Sequence, residues 1–340
     1  FRDGNAYKVY HDPGLPPLID TLNGGAESDL YKKSFTMVAK WQSHLDTADG
    51  VMWDISPASI GNIPWYPSTY DSLFYFYDYE NGGDNSMGHS LNPFTGQPYT
   101  PQMVHRADYA RVLAEFWADG PDSETPPGHW FTLLNYVTDH PQHNSKWMGE
   151  GPLRDNLEWD VKTYFTMGGA MHDAAVSCWS IKGWYDYIRP VSAIRYMADQ
   201  GQSSDTTLPN YSINGLALEP GFIEIVDSAD ATAGSQFQNV GKIQIRTWMG
   251  PDFVLDPVID QAGVDWILAE NWWSFQRPSF VAPPFPGFVS GHSTYSRAAA
   301  EIREKMTGSE YFPGGMGEFV AKKNEFLFFE EGPSEDIILQ

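Results

Sequence analysis

Lys182 and Arg189 stand seven residues apart with Pro190 next, and much later Ser290-Gly291-His292 heads an alanine-rich stretch. Those residue types describe a pocket for a tetrahedral oxyanion. On a helix a separation of seven returns to the same face two turns on, so both cations can converge on one anion. The guanidinium suits bidentate recognition of oxygens, and the ammonium is a point charge on a flexible stem. Ser290 offers a hydroxyl, Gly291 lets a backbone N–H approach closely, and a helix starting near His292 directs its positive end to the same place. The unperturbed pKa of an imidazole, roughly 6.5, suits His292 for proton transfer at an anion's oxygen. Taken singly, each fragment is also what a solvated helix face or a capped turn shows.

The elements that must position these residues are helices. Apolar recurrence at three and four residues predicts helices over about 28–46, 101–118, 128–139, 156–188, 190–199, 234–248, 257–274, 292–307 and 315–329. Thr100-Pro101 and Asp256-Pro257 each pair a candidate N-cap with Pro at N1, while Asp119-Gly120-Pro121 and Gln200-Gly201 read as stops. Residues 50–100, rich in Gly, Asn, Pro, Ser and aromatics with little periodicity, read as a long ordered loop. The fold class expected is mainly α, a helical bundle with long ordered loops. Residues 1–150 form a helical and loop region packed on a core of residues 151–340 that carries the pocket, the whole being one continuous domain.

The stretch GGAMHDAAVSCWSIKGWYDYIRPVSAIRY, with PPFPGFVSGHSTYSRAAAEI and residues 92–130, resembles the vanadium-dependent haloperoxidases. These share fold and pocket with the type-2 phosphatidic acid phosphatase superfamily. The family's first motif is K-x6-R-P and its second P-S-G-H; here Val289 stands for the Pro of the second. The resemblance implies that Lys182 and Arg189 hold the oxygens of vanadate, that Ser290 and the Gly291 N–H add hydrogen bonds, and that His292 is the acid/base. It implies a haloperoxidase oxidising halide with hydrogen peroxide to hypohalous acid, with a small organic acceptor. Lys182 would polarise the bound peroxide. Trp179 and Phe285, which spacing alone reads as core aromatics, would line the halide side. Phe285 stands where some bromoperoxidases carry His. The family's third motif, S-R-x5-H-x3-D, supplies a vanadium-ligating His; His292 is the last of nine histidines and Ser296-Arg297 is followed by none. The expectations are an arm beyond Gln340, an arm from another chain or a homo-oligomer, or an incomplete site. A soluble acid phosphatase of the same superfamily and a secreted, non-catalytic scaffold are the alternative functions.

At 340 residues and 41% hydrophobic content the chain can bury a large core. Forty-four acidic against twenty-one basic residues give a formal charge of −23, which argues against nucleic acid and anionic membranes and suits a secreted or periplasmic setting. A single cysteine, Cys178, excludes an intrachain disulfide and every Cys-rich metal framework, and reads as a packing residue. No apolar run is long enough to span a membrane. Asp78, Glu80 and Asp84 surround Asn81-Gly82-Gly83 without the spacing of an EF-hand loop, and His140 and His143 flank Pro141 in what reads as a loop.

Overall fold

A computed structural model describes residues 12–61, 63, 65–78, 83, 86–117, 124–277, 282–325 and 330–340. In chain order the elements are α1 (Ala26–Gln42), β1 (Met52–Asp54), α2 (Tyr70–Phe76), β2 (Met103–His105), α3 (Arg106–Phe116), α4 (Pro126–Asp139), α5 (Asn156–Tyr185), α6 (Pro190–Gln200), β3 (Ile223–Ile225), β4 (Ile243–Trp248), β5 (Val264–Leu268), α7 (Gly291–Thr307), β6 (Phe319–Ala321) and β7 (Ile337–Leu339).

The longest of these, α5, buries Trp159, Thr163, Met167, Met171, Ala174, Cys178 and Ile181, a recurrence at three and four that keeps one stripe inward over thirty residues. Asp155 starts it by accepting from Glu158 N at 3.0 Å. Met167, Met171 and Ala174 pack against Trp130 and Leu134 of α4 and Tyr295, Ala299 and Met306 of α7. This helical core carries the residues of interest. A second core joins Tyr31, Phe35 and Ala39 of α1 to Ala193, Ile194 and Met197 of α6 and to the isoleucines of β3, β4 and β5. The expected stop at Gln200-Gly201 is present, with Gly201 at φ 102°.

The fold is mainly helical, but three of the expected helices are not there. Residues 234–248 and 257–274 instead supply β4 and β5, the centre and one edge of an antiparallel sheet in the order β3-β4-β5. In Ile243-Gln244-Ile245 and Val264-Asp265-Trp266-Ile267 the β-branched and aromatic residues favour a pleated surface, and a period of two also satisfies every fourth position of a helical pattern. Asp256-Pro257 opens a turn in which the Asp256 carboxylate accepts from Val258 N at 3.1 Å and its carbonyl from Asp260 N at 2.8 Å. Within 315–329 the chain forms β6, paired antiparallel with β7, and residues 326–329 lie outside the described residues.

Thr100-Pro101 precedes β2 rather than a helix, and α3 starts only at Arg106. The loop expected over 50–100 contains β1 and α2, and β1 pairs with β2 in register Trp53 to Val104. Asp119-Gly120-Pro121 lies outside the described residues. Among the described residues, no helix is long and apolar enough to cross a membrane.

Candidate functional site

Lys182 lies on the last full turn of α5 and is 3% exposed. Its Nζ donates to the carbonyls of Pro286 at 2.7 Å and Gly287 at 3.4 Å and sits 5.2 Å from the centre of the Phe285 ring. Arg189 does not share its helical face. The helix ends at Tyr185, and Asp186 turns into the left-handed region at φ 47°. Arg189 is then extended, at φ −93° and ψ 154°, as the N-cap of α6. Pro190 explains this, since a residue before proline is pushed out of the helical region. The two cations converge because both hold the same segment: Arg189 Nε donates to the Phe285 carbonyl at 2.8 Å, with its guanidinium 5.0 Å from the Phe285 ring.

Burial pushes the Lys182 pKa below its ordinary value; Cys178 opposes this in part, and the nearby Arg189 charge adds a smaller lowering. Burial lowers the Arg189 pKa as well. Among the described residues neither cation has a carboxylate partner. Two adjacent, partly desolvated positive charges without a counter-ion make a place where an anion is favoured.

Ser290 is the N-cap of α7, so the helix begins one residue earlier than expected. Its hydroxyl accepts from Ser293 N at 3.2 Å, which leaves the O–H proton for another acceptor. Gly291 packs against Trp179: a Cβ built there would lie 3.2 Å from the indole ring. His292 follows in the first turn, half-buried, and makes no hydrogen bond among the described residues.

Trp179 is 38% exposed and therefore no core residue; it forms a wall with Phe285, ring centres 5.2 Å apart, over the two cations. Phe285 is half-buried. Lys182, Arg189, Trp179, Phe285, Ser290, Gly291 and His292 thus meet at one place, the C-terminal end of α5 and the N-terminus of α7. Replacing Gly291 with Val is expected to displace the Trp179 ring and cost about 1–3 kcal/mol by overpacking, read as a lower denaturant midpoint with a changed tryptophan emission.

His129 on α4 is a neighbour that sequence reasoning missed. Burial lowers its pKa; Glu124, 3.6 Å away, raises it, and His292 lowers it again, which puts the two imidazoles within electrostatic reach. Only the cap signal of Thr125 before Pro126-Pro127 was there to place His129 in the first turn of a helix, and nothing in spacing linked it to His292.

The other constellations stand apart. His140 Nδ1 accepts from Gln142 N at 3.1 Å inside a turn, and His143 packs on Trp159 with ring centres 4.7 Å apart. Glu80 and Asp84 lie outside the described residues, and among the described residues no group of three His, Cys, Asp or Glu side chains is placed to hold a metal ion. Cys178 is fully buried with its thiol 3.8 Å from the Val289 carbonyl, and burial raises its pKa.

No curated protein and no solved structure matches the chain. The VCPO second helical-bundle domain matches residues 162–340, just over half of the sequence and the whole of the region that carries the cations, their aromatic wall and the α7 N-terminus. The chain therefore belongs to the vanadium haloperoxidase-related family to which that domain belongs.

Proposed function

We propose that the protein is a vanadate-dependent haloperoxidase that oxidises halide with hydrogen peroxide to hypohalous acid. The observation that carries this reading is the pair Lys182, buried, and Arg189, half-buried, without a carboxylate partner among the described residues and beside the N-terminus of α7, in a chain of the haloperoxidase-related family. The charge and hydrogen-bond donors fit the oxygens of vanadate: two cations, the Ser290 hydroxyl, and those backbone N–H groups at the start of α7 that the Ser290 cap leaves unpaired.

Lys182, Arg189, Ser290 and the Gly291 N–H would hold the oxygens of vanadate. When bound, vanadate supplies a Lewis-acid centre that activates peroxide toward halide without changing oxidation state. Lys182 withdraws charge from oxygens bound nearby, an electrostatic role favoured by its dry, aromatic surroundings. His292 moves a proton at its imidazole nitrogen, and the exposed edge of Trp179 with Phe285 gives the halide a polarisable wall.

Orthovanadate titrated into the full chain by isothermal calorimetry separates this reading from its rivals. Saturable vanadate binding without turnover of p-nitrophenyl phosphate is the expected result. Phosphate-ester turnover that vanadate inhibits would assign an acid phosphatase, and the absence of both binding and turnover would assign a scaffold.

A further inference from the structure

At the opposite end of α7 from His292, a cavity of about 530 Å³ opens between α4, the last turns of α7 and the 308–315 loop. Its size lies in the range of small-molecule sites. Arg303 reaches it eleven residues beyond His292, roughly 16 Å along the helix axis at 1.5 Å per residue, so this is a different place from the oxyanion cluster. The guanidinium stacks 4.6 Å from the Phe312 ring centre and 5.9 Å from that of Trp130.

Among the described residues the Arg303 guanidinium, its buried Nε included, has no hydrogen-bond or ion-pair partner. Its pKa is pushed down to about 10 with burial as the sole cause, so the carboxylates at the rim do not reach it. Of those, Glu310 is turned to Tyr311, whose pKa it helps to raise, and Glu304 is exposed. His143 also lines the cavity; its Nε2 is buried without a partner among the described residues, and burial holds its imidazole below its ordinary pKa. Buried polar groups are nearly always paired, and a stranded one costs about 1–3 kcal/mol, more when charged. A guanidinium without a carboxylate partner beside an open cavity marks a place where an anion is favoured.

The loop that closes the cavity is held in shape. Tyr99 donates to the Gly315 carbonyl at 3.2 Å and Asn92 Nδ2 to that of Gly314 at 3.3 Å, while Gly314 and Gly315 turn at φ 82° and 97°. The pocket is thus formed before anything enters it.

We propose that this cavity binds a small aromatic carboxylate. The planar guanidinium takes the carboxylate through two N–H bonds from its terminal nitrogens, and Phe94, Val137 and Pro313 of the lining take the aromatic body. The carboxylate would replace water around a cation that the fold leaves unmatched.

The test is calorimetric titration of the full chain with 4-hydroxybenzoate, benzoate and 4-hydroxybenzyl alcohol, with orthovanadate present and absent. The expected order is both carboxylates bound and the alcohol weakest. Vanadate is expected not to compete, and Arg303→Met to weaken the carboxylates by about 10- to 100-fold. Because the wild-type ligand series does not depend on any variant folding, it stands by itself, and circular dichroism checks the fold of Arg303→Met. Three outcomes would overturn the proposal: no saturable binding at millimolar ligand, equal binding of acid and alcohol, or competition by vanadate, which would place the ligand at the oxyanion cluster.

Discussion

Arg111→Met is expected to lower the stability of the fold by about 3–5 kcal/mol, the loss that follows when a buried ion pair is broken on one side. Arg111 on α3 is fully buried between two carboxylates that are themselves 2% exposed, donating to Asp108 Oδ1 at 3.1 Å and lying 3.3 Å from Glu330 Oε2. It also donates to the Glu331 carbonyl. The carboxylates have further donors. Glu330 Oε1 accepts from Trp248 Nε1 at 2.6 Å and Ala262 N at 3.1 Å, and Asp108 Oδ2 accepts from Ser334 N at 2.9 Å.

Methionine fills most of the volume but leaves two buried negative charges with only neutral donors around them, so the penalty falls on the carboxylates rather than on lost packing. Glu330→Gln keeps the shape and leaves Arg111 one carboxylate, and so costs less than Arg111→Met. Guanidinium unfolding checks this: the midpoint drops in that order with the slope unchanged. Since the network joins α3, β4 and residues 330–334, the C-terminal strand β7 is expected to exchange its amide hydrogens earliest in Arg111→Met.

Lys182→Met should lower the affinity for orthovanadate by about 10- to 150-fold, equivalent to 1.5–3 kcal/mol for hydrogen bonds to a charged group. Its effect on stability should be small by comparison, because burial already disfavours the charged lysine. The pH dependence follows from the direction of that shift. The folded pKa lies below the unfolded value of 10.5, so the folded chain carries a cost for the charged side chain at pH values below the folded pKa. That cost disappears as pH rises through the unfolded value. A bound oxyanion needs the charged form, so vanadate affinity is lost as pH rises through the lowered lysine pKa, earlier than for an ordinary lysine. Titrations across alkaline pH check it: Lys182→Met removes this pH-dependent step, and a wild-type loss only above the ordinary lysine range would contradict the burial argument.

The pocket's residue types and the two helices that bring them together were legible in the sequence. Asp155 and the inward stripe of α5 mark one helix; Ser290 and the apolar spacing of Tyr295, Ala299 and Met306 mark the other. The way Lys182 meets Arg189 was not. A seven-residue separation reads as one helical face, but Pro190 forces Arg189 out of the helix, and the meeting depends on the carbonyls of Phe285, Pro286 and Gly287, far away in sequence. β4 and β5 were missed because a four-residue apolar recurrence is shared by both periods, and only pairing across the sheet decides between them. His129 and Arg303 carry no spacing signature at all. Their place is set by tertiary packing of α4 against α7, where Trp130 Nε1 donates to Ser296 Oγ at 3.3 Å.

The most direct test of the haloperoxidase reading is peroxide-driven halide oxidation by the full chain, followed as bromination of monochlorodimedone with and without orthovanadate. Turnover that requires vanadate, peroxide and bromide together, and that falls by about 100-fold or more in Lys182→Met and His292→Ala, is the predicted result. Bromination at the same rate without vanadate, or undiminished in both variants, would contradict it.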